Sequence, residues 1–187
     1  INPSLRLHSK TKFLPVGIAS VMTYLQSQGV KFDFLDIDID DIEDTDVKLY
    51  LERNRYDIVL TGSIVTHYKW MKWLTKTVRY YNPKSIIIVG NSVAGSIPTL
   101  FLTNSDADIA IMGEGELSTN ETIFSILNDQ DISNIEGIAY KKSNGTVKVN
   151  PKRKGLKKLD DFPMINWEPF KTEDYFTKSY ASAKAVD

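Results

Sequence analysis

Tyr56-Asp57-Ile58-Val59-Leu60-Thr61-Gly62 is a short apolar run ending in small residues, and its surroundings decide the fold. Such a run suits a central parallel strand covered on both faces. Residues 68–81 follow with Met71, Leu74, Val78 and Tyr81 on one helical stripe, which Asn82-Pro83 breaks. Ser85-Ile86-Ile87-Ile88-Val89-Gly90 is then a second fully apolar run. Strand, helix and strand in this order imply a right-handed crossover and parallel pairing.

The rhythm extends in both directions. Toward the C-terminus come a short helix over 97–102, a strand over Asp108-Ile109-Ala110-Ile111-Met112-Gly113, and a helix ending near Leu127. Ser118-x-x-Glu121 has the spacing of a capping box that opens this helix. Toward the N-terminus, 44–55 has the composition of a charged surface helix. Residues 31–38 alternate apolar and polar like a half-buried strand, and 16–28 form a helix stopped by Gly29. After Asp131, the runs 137–142 and 146–149 flank Ser143-Asn144-Gly145, a hairpin signal. From Asn150-Pro151 onward the chain is polar, basic and then aromatic without periodicity, as an extended linker is. The expected architecture is α/β: a flavodoxin-like (Rossmann-like) parallel sheet with helices on both faces over residues 1–131. A C-terminal β-hairpin and linker are expected over 132–187.

Composition narrows the function. Hydrophobic residues make up 42% of the 187, ordinary for a globular core, and the net charge is -1. That balance argues against nucleic acid or a membrane surface as partner, because both need a positive excess to neutralise phosphates. No apolar run approaches the roughly 20 residues of a membrane helix, and Ile1-Asn2-Pro3 shows no basic-then-apolar leader. A cytoplasmic protein is expected. With no cysteine, the chain has no disulfide, no thiolate zinc site and no thiolate-held iron–sulfur cluster of its own. Ile1 has the character of a strand end, so an excerpt of a longer protein is expected.

In an open parallel sheet, ligands bind beyond the carboxyl ends of the strands. Those ends are Asn2-Pro3-Ser4, Asp36-Ile37-Asp38, Thr61 through Thr66, Gly90 through Gly95, and Gly113-Glu114-Gly115-Glu116. Three of the five carry glycine, which lets backbone approach a ligand closely. The same glycines also suit tight strand-to-helix turns with no ligand. The loops after Leu60 and Val89 are small and weakly polar, and they suit a wide slot for a large, mostly apolar ligand with amides at its edge. The acidic group Asp36, Asp38, Asp40 and Asp41 is expected to be a solvated strand end and loop. Trp70, Trp73, Tyr80 and Tyr81 are expected to pack in the core or against a neighbouring domain.

The motifs taken together resemble the cobalamin-binding domain that precedes the barrel of cobalamin-dependent radical-SAM proteins. Leu14-Pro15-Val16-Gly17-Ile18 resembles the Pro-Leu-Gly-Leu opening of that domain's first helix, and Asn2-Pro3 its Asn-Pro-Pro strand end. Gly90-Asn91-Ser92-Val93-Ala94 resembles its Gly-Gly-Pro-His-Ala segment, and Met112-Gly113-Glu114-Gly115-Glu116 its Gly-Glu-Gly-Glu turn. Ile135 through Tyr140 with Asn150-Pro151 resembles the following hairpin, and Leu159-Asp160-Asp161-Phe162-Pro163 the lead-in to the barrel. Asn91 and Val93 depart from the family's Gly and His.

The resemblance implies that the chain binds and orients cobalamin and has no catalytic residue or metal ligand of its own. It implies cofactor contacts from Asn2, Pro3, Ser63, Ile64, Val65, Thr66, Gly90, Asn91, Ser92, Val93, Gly113, Glu114, Gly115 and Glu116. The partner is then the protein's own radical-SAM barrel, beyond Asp187, holding the iron–sulfur cluster and S-adenosylmethionine. His8 lacks the flanking Asp and Gly that support a cobalt-ligating histidine, so cobalamin without protein histidine coordination is expected. His67 is expected to be a cap neighbour or rim residue. A cofactor-free interaction module and a flavin- or nucleotide-binding domain are the alternatives on the same fold.

Overall fold

The computed structural model describes residues 1–5, 7–155 and 162–178. Five strands form one sheet in sequence order: β1 (Ile58–Gly62), β2 (Ile86–Gly90), β3 (Ile109–Ile111), β4 (Ile138–Lys141) and β5 (Val147–Val149). β1–β2 and β2–β3 are parallel. β3–β4 and β4–β5 are antiparallel. The helices are α1 (Val16–Ser27), α2 (Asp44–Arg53), α3 (Tyr68–Tyr81), α4 (Asn91–Gly95), α5 (Pro98–Thr103), α6 (Glu116–Leu127) and α7 (Thr172–Lys178).

Side chains alternate across a strand, and β2 shows the result. Ile87 and Val89 join a core with Met71, Leu74 and Val78 of α3, Val47 and Leu51 of α2, and Phe101 of α5. Ile88 joins the opposite core, with Leu25 of α1 and Ile123 of α6. The stripe foreseen on 68–81 is thus the buried face of α3, except that Tyr81 is only partly buried. Truncating a buried side chain such as Leu74 to Ala costs about 2–5 kcal/mol. Among the described residues no helix is long and apolar enough to cross a membrane.

Four features differ from the sequence expectations. Residues 31–38 do not form a ladder strand: the segment has a single parallel bridge, Asn2 to Asp36. Asn2 donates its N–H to Leu35 O at 2.9 Å and accepts from Ile37 N–H at 3.0 Å, while the Ile1 nitrogen donates to Leu60 O at 2.8 Å. Ile1 and Asn2 therefore lie between this segment and β1.

Ser118 does not cap α6, which begins earlier, at Glu116 after Gly115. Its hydroxyl donates to Glu136 O at 2.9 Å and accepts from Arg153 Nε at 3.0 Å, and Arg153 also pairs with Glu121. The two residues of the expected box tie the chain after β5 onto α6.

Residues 91–95 fold as the short helix α4, which lacks apolar periodicity and so left no signal. Asn91 sits in the left-handed region at φ 62°, and its Oδ1 accepts Ser92 N–H at 2.6 Å. Finally, residues within the expected linker pack back on the domain. Asn166 N–H donates to Thr23 Oγ1 at 2.8 Å, Phe170 is buried against Ala19 and Met22, and α7 carries the buried Tyr175. Leu159, Asp160 and Asp161 of the lead-in motif lie outside the described residues.

Candidate ligand crevice at the strand ends

The carboxyl ends of β1, β2 and β3 open into a cavity of about 1560 Å³. Asn2, Pro3, Ser63, Ile64, Gly90, Asn91 and Gly113 through Glu116 line it, with Phe13 through Val16 as the facing wall. It runs downward between the extended segment 31–35 and β1. Leu5, Phe13, Val16 and Ile64 are exposed at its edge, so the mouth is apolar.

Three glycines shape the floor. Gly62 and Gly90 face each other in register, and a Cβ on Gly62 would lie 3.1 Å from the carbonyl carbon and oxygen of Gly90. A side chain at Gly62 would push Gly90 back by a few tenths of an ångström, so glycine there suits the close approach. Gly113 adopts φ +80°, and a Cβ there would meet nothing within 4 Å. Its backbone conformation, not a neighbour, calls for glycine, and the space beside it is open.

Thr61, at the end of β1, also lines the cavity. Its Oγ1 is buried and has no hydrogen-bond partner among the described residues. A buried hydroxyl without a partner costs about 1–3 kcal/mol. The Ser63 hydroxyl lies 3.1 Å from His67 Nδ1. The His67 ring stacks on Trp70 with centroids 4.8 Å apart and planes at 2°. Trp70 Nε1–H donates to Asp44 Oδ1 at 3.0 Å. Burial pulls the His67 imidazole below its ordinary value, opposed by the nearby Asp44 carboxylate.

Not every residue named from the sequence faces the cavity. Val93 is fully buried in the core beneath the loop, and its N–H donates to Ser63 O at 3.0 Å. Ser92 Oγ accepts Val65 N–H at 3.0 Å. Val65, Thr66, Ser92 and Val93 are absent from the cavity wall; these bonds tie the two loops of the floor together. Asn2 is committed elsewhere, donating from Nδ2 to Asp36 Oδ1 at 2.7 Å and to the Tyr175 hydroxyl at 3.1 Å. Glu116 Oε1 accepts from the Ser20 hydroxyl, which joins α6 to α1. His8 is exposed and away from the cavity wall, with Nε2 2.6 Å from Glu43 Oε1.

The acidic cluster is not a solvated strand end. Asp36 is buried, and Tyr175 donates its hydroxyl to both Asp36 oxygens, at 3.0 and 2.8 Å. Burial raises the Asp36 pKa, opposed by hydrogen bonds from Asn2, Tyr175 and the Ile39 N–H. Lys12 is fully buried, with its ammonium 2.7 Å from Asp41 and 3.3 Å from Asp38. Ser4 donates to Asp38 at 2.6 Å, Lys171 pairs with Asp40, and Lys12 N–H donates to Lys178 O at 3.0 Å. The acidic loop is thus the seat of α7. Among the described residues no group of His, Cys, Asp and Glu is arranged to hold a metal ion.

An α/β sheet whose parallel strands end on a glycine-floored, apolar crevice defines a class of domain that cradles a large ligand. The family profile described as "B12 binding domain" matches residues 4–122, and the chain belongs to that family. It is 31% identical over 169 residues to an uncharacterized protein of Methanocaldococcus jannaschii, covering 90% of this chain and 30% of that one. It is 23% identical over 164 residues to an uncharacterized methyltransferase of Pyrococcus horikoshii, covering 86% of this chain and 35% of that protein. The chain thus spans 30–35% of the length of these curated relatives.

Among solved structures, it matches the cobalamin-dependent S-adenosylmethionine radical enzyme OxsB with aqua-cobalamin and S-adenosylmethionine bound. The TM-score is 0.69 and the identity 20%, covering 82% of this chain and 22% of that one. It also matches the radical S-adenosylmethionine methyltransferase TsrM of Kitasatospora setae with cobalamin and a [4Fe-4S] cluster bound. There the TM-score is 0.66 and the identity 16%, covering 78% of this chain and 28% of that one. At these identities the likeness is one of fold, and it matches the α/β expectation drawn from the sequence.

Proposed function

We propose that this chain holds cobalamin in the strand-end crevice and is the cofactor-binding part of a cobalamin-dependent radical-SAM protein. The observation that carries this reading is the crevice itself. It lies at the carboxyl ends of the parallel strands, falls within the matched residues 4–122 for most of its wall, and has an apolar mouth with Ser63 on its wall. When bound, cobalamin supplies a cobalt centre able to carry a methyl group, and the protein supplies binding and orientation.

Each residue has a task in that reading. Ser63 hydrogen-bonds the nucleotide tail. Gly90 and Gly113 give room, while Pro3 and Ile64 give apolar wall. Asn91 has Oδ1 taken by Ser92 N–H, which leaves its Nδ2 hydrogens for an amide acceptor at the ligand's edge. Gly115 shapes the rim with Glu114 and Glu116. Asn2, Val65, Ser92 and Val93 hold the loops in place. His8, exposed and bonded to Glu43, leaves the cobalt without a protein histidine. The radical-SAM barrel of the longer protein is the partner, and it holds the iron–sulfur cluster and S-adenosylmethionine.

Mixing the purified chain with hydroxocobalamin and desalting it tests the reading. A coloured protein is the expected result, with a visible spectrum that His8→Ala leaves unchanged. A folded chain that stays colourless rules the reading out for this domain.

A further inference from the structure

We propose that His67 is a positioning residue for the nucleotide tail of cobalamin, acting by fixing the direction of the Ser63 hydroxyl. The inference rests on the cobalamin reading above and assigns a role to a side chain outside the cavity wall.

Ser63 lines the cavity and is otherwise buried. A serine hydroxyl has one hydrogen to give and rotates to suit its partners. His67 Nδ1, 3.1 Å away, removes that freedom. With Nδ1 protonated, the ring donates to Ser63 and the hydroxyl hydrogen points to the ligand. With Nδ1 bare, the ring takes the hydrogen and Ser63 offers lone pairs only. Either way, the ligand meets a hydroxyl of one defined polarity.

The ring itself is held in turn. It lies flat on Trp70, and Trp70 is tethered to Asp44 at the start of α2. His67 N–H donates to Ile64 O at 3.0 Å, which fixes the turn that carries the ring. Burial favours its neutral imidazole, in which one ring nitrogen donates and the other accepts. A group oriented by packing and hydrogen bonds from behind loses less freedom when the ligand arrives.

The tail of cobalamin ends in an aza-aromatic base, and cobinamide is the same corrinoid without that tail. The two ligands separate a role at the tail from a general structural role. Dissociation constants are measured for both, by visible titration, on the wild type, His67→Phe and His67→Asn. Phe keeps a ring on Trp70 and removes the bond to Ser63, while Asn keeps a polar group near the Nδ1 position.

His67→Phe is expected to weaken cobalamin about tenfold, the size of one hydrogen bond near 1.4 kcal/mol, and to leave cobinamide unchanged. His67→Asn is expected to recover most of the loss, and Ser63→Ala to abolish the effect of His67→Phe. Imidazole nitrogen shifts of the unmodified protein are expected to move with cobalamin and not with cobinamide, a measurement that needs no variant. Equal weakening of both corrinoids, no weakening by His67→Phe, or identical shifts with both ligands overturns the proposal. A wild type that binds neither corrinoid overturns the cobalamin reading itself, a separate result.

Discussion

Two neighbouring corners of the same sheet end are built in opposite ways. At the ends of β1, β2 and β3 the backbone turns through glycines, the walls are apolar, and a buried hydroxyl has no partner among the described residues. At the end of the extended segment 31–36, nearly every polar atom is spoken for: Asp36, Asp38, Asp40 and Asp41 are met by Asn2, Ser4, Lys12, Lys171 and Tyr175. An unsatisfied polar group inside a protein costs stability, and a satisfied network rigidifies it. The open corner forgoes that stability, and the closed corner supplies the rigid frame around it.

The largest expected effect falls on the closed corner. Lys12→Met removes a fully buried cation from two carboxylates whose side chains are 16% and 30% exposed. Breaking a buried pair on one side costs about 3–5 kcal/mol, and the partial exposure of the carboxylates places the loss near the lower end, about 3 kcal/mol. Urea unfolding measures it. A loss well under 1 kcal/mol would mean that the corner is held by α7 alone.

Tyr175→Phe is a smaller change in the same network, about 1–3 kcal/mol for a donor taken from a buried carboxylate. It also carries a pH signature. The folded value of Asp36 is raised, so the folded protein holds this proton more tightly than the unfolded chain does. Its contribution to stability is greatest below the ordinary carboxylate range and is lost as pH rises through the raised value. Tyr175 opposes the shift, so its loss steepens that decline. Unfolding free energies of the two proteins are expected to diverge as pH rises above the ordinary carboxylate range, and a constant gap would sink this account.

The smallest effect has the opposite sign. Thr61→Val replaces an unpartnered buried hydroxyl with a methyl of the same shape, so the ligand-free protein is expected to gain about 1 kcal/mol. If Thr61→Val destabilises the ligand-free protein, the hydroxyl has a partner there, and the contrast between the corners narrows.

The sequence exposed the two corners unequally. The open one was legible because its parts are local. Apolar runs ending in Gly62, Gly90 and Gly113 identify strand ends whatever the rest of the chain does. Thr61 was overlooked because one threonine in a strand carries no sign of its pairing. His67 was visible as a residue near a helix start, but its contact with Ser63 depends on a turn of 3-10 helix that no periodicity announces.

The closed corner was misread because its parts are far apart in sequence. Four aspartates in six positions have the composition of a solvated loop unless the tyrosine and lysines that meet them are known. The capping box failed similarly: Ser118 and Glu121 have the right spacing, but the helix already begins at Glu116 and Arg153 claims both side chains.

The contact between Tyr175 and Asp36 spans 139 residues, and that between Tyr175 and Asn2 spans 173. During synthesis, Asp36 emerges long before the residue that covers it. At about 5–20 residues per second, the wait is on the order of ten seconds. Through that interval the β1–β2–β3 unit can form from contacts closer in sequence, while the acidic corner stays hydrated. The domain is therefore expected to mature in two stages on the ribosome, a sheet first and a closed frame only after α7 has been made.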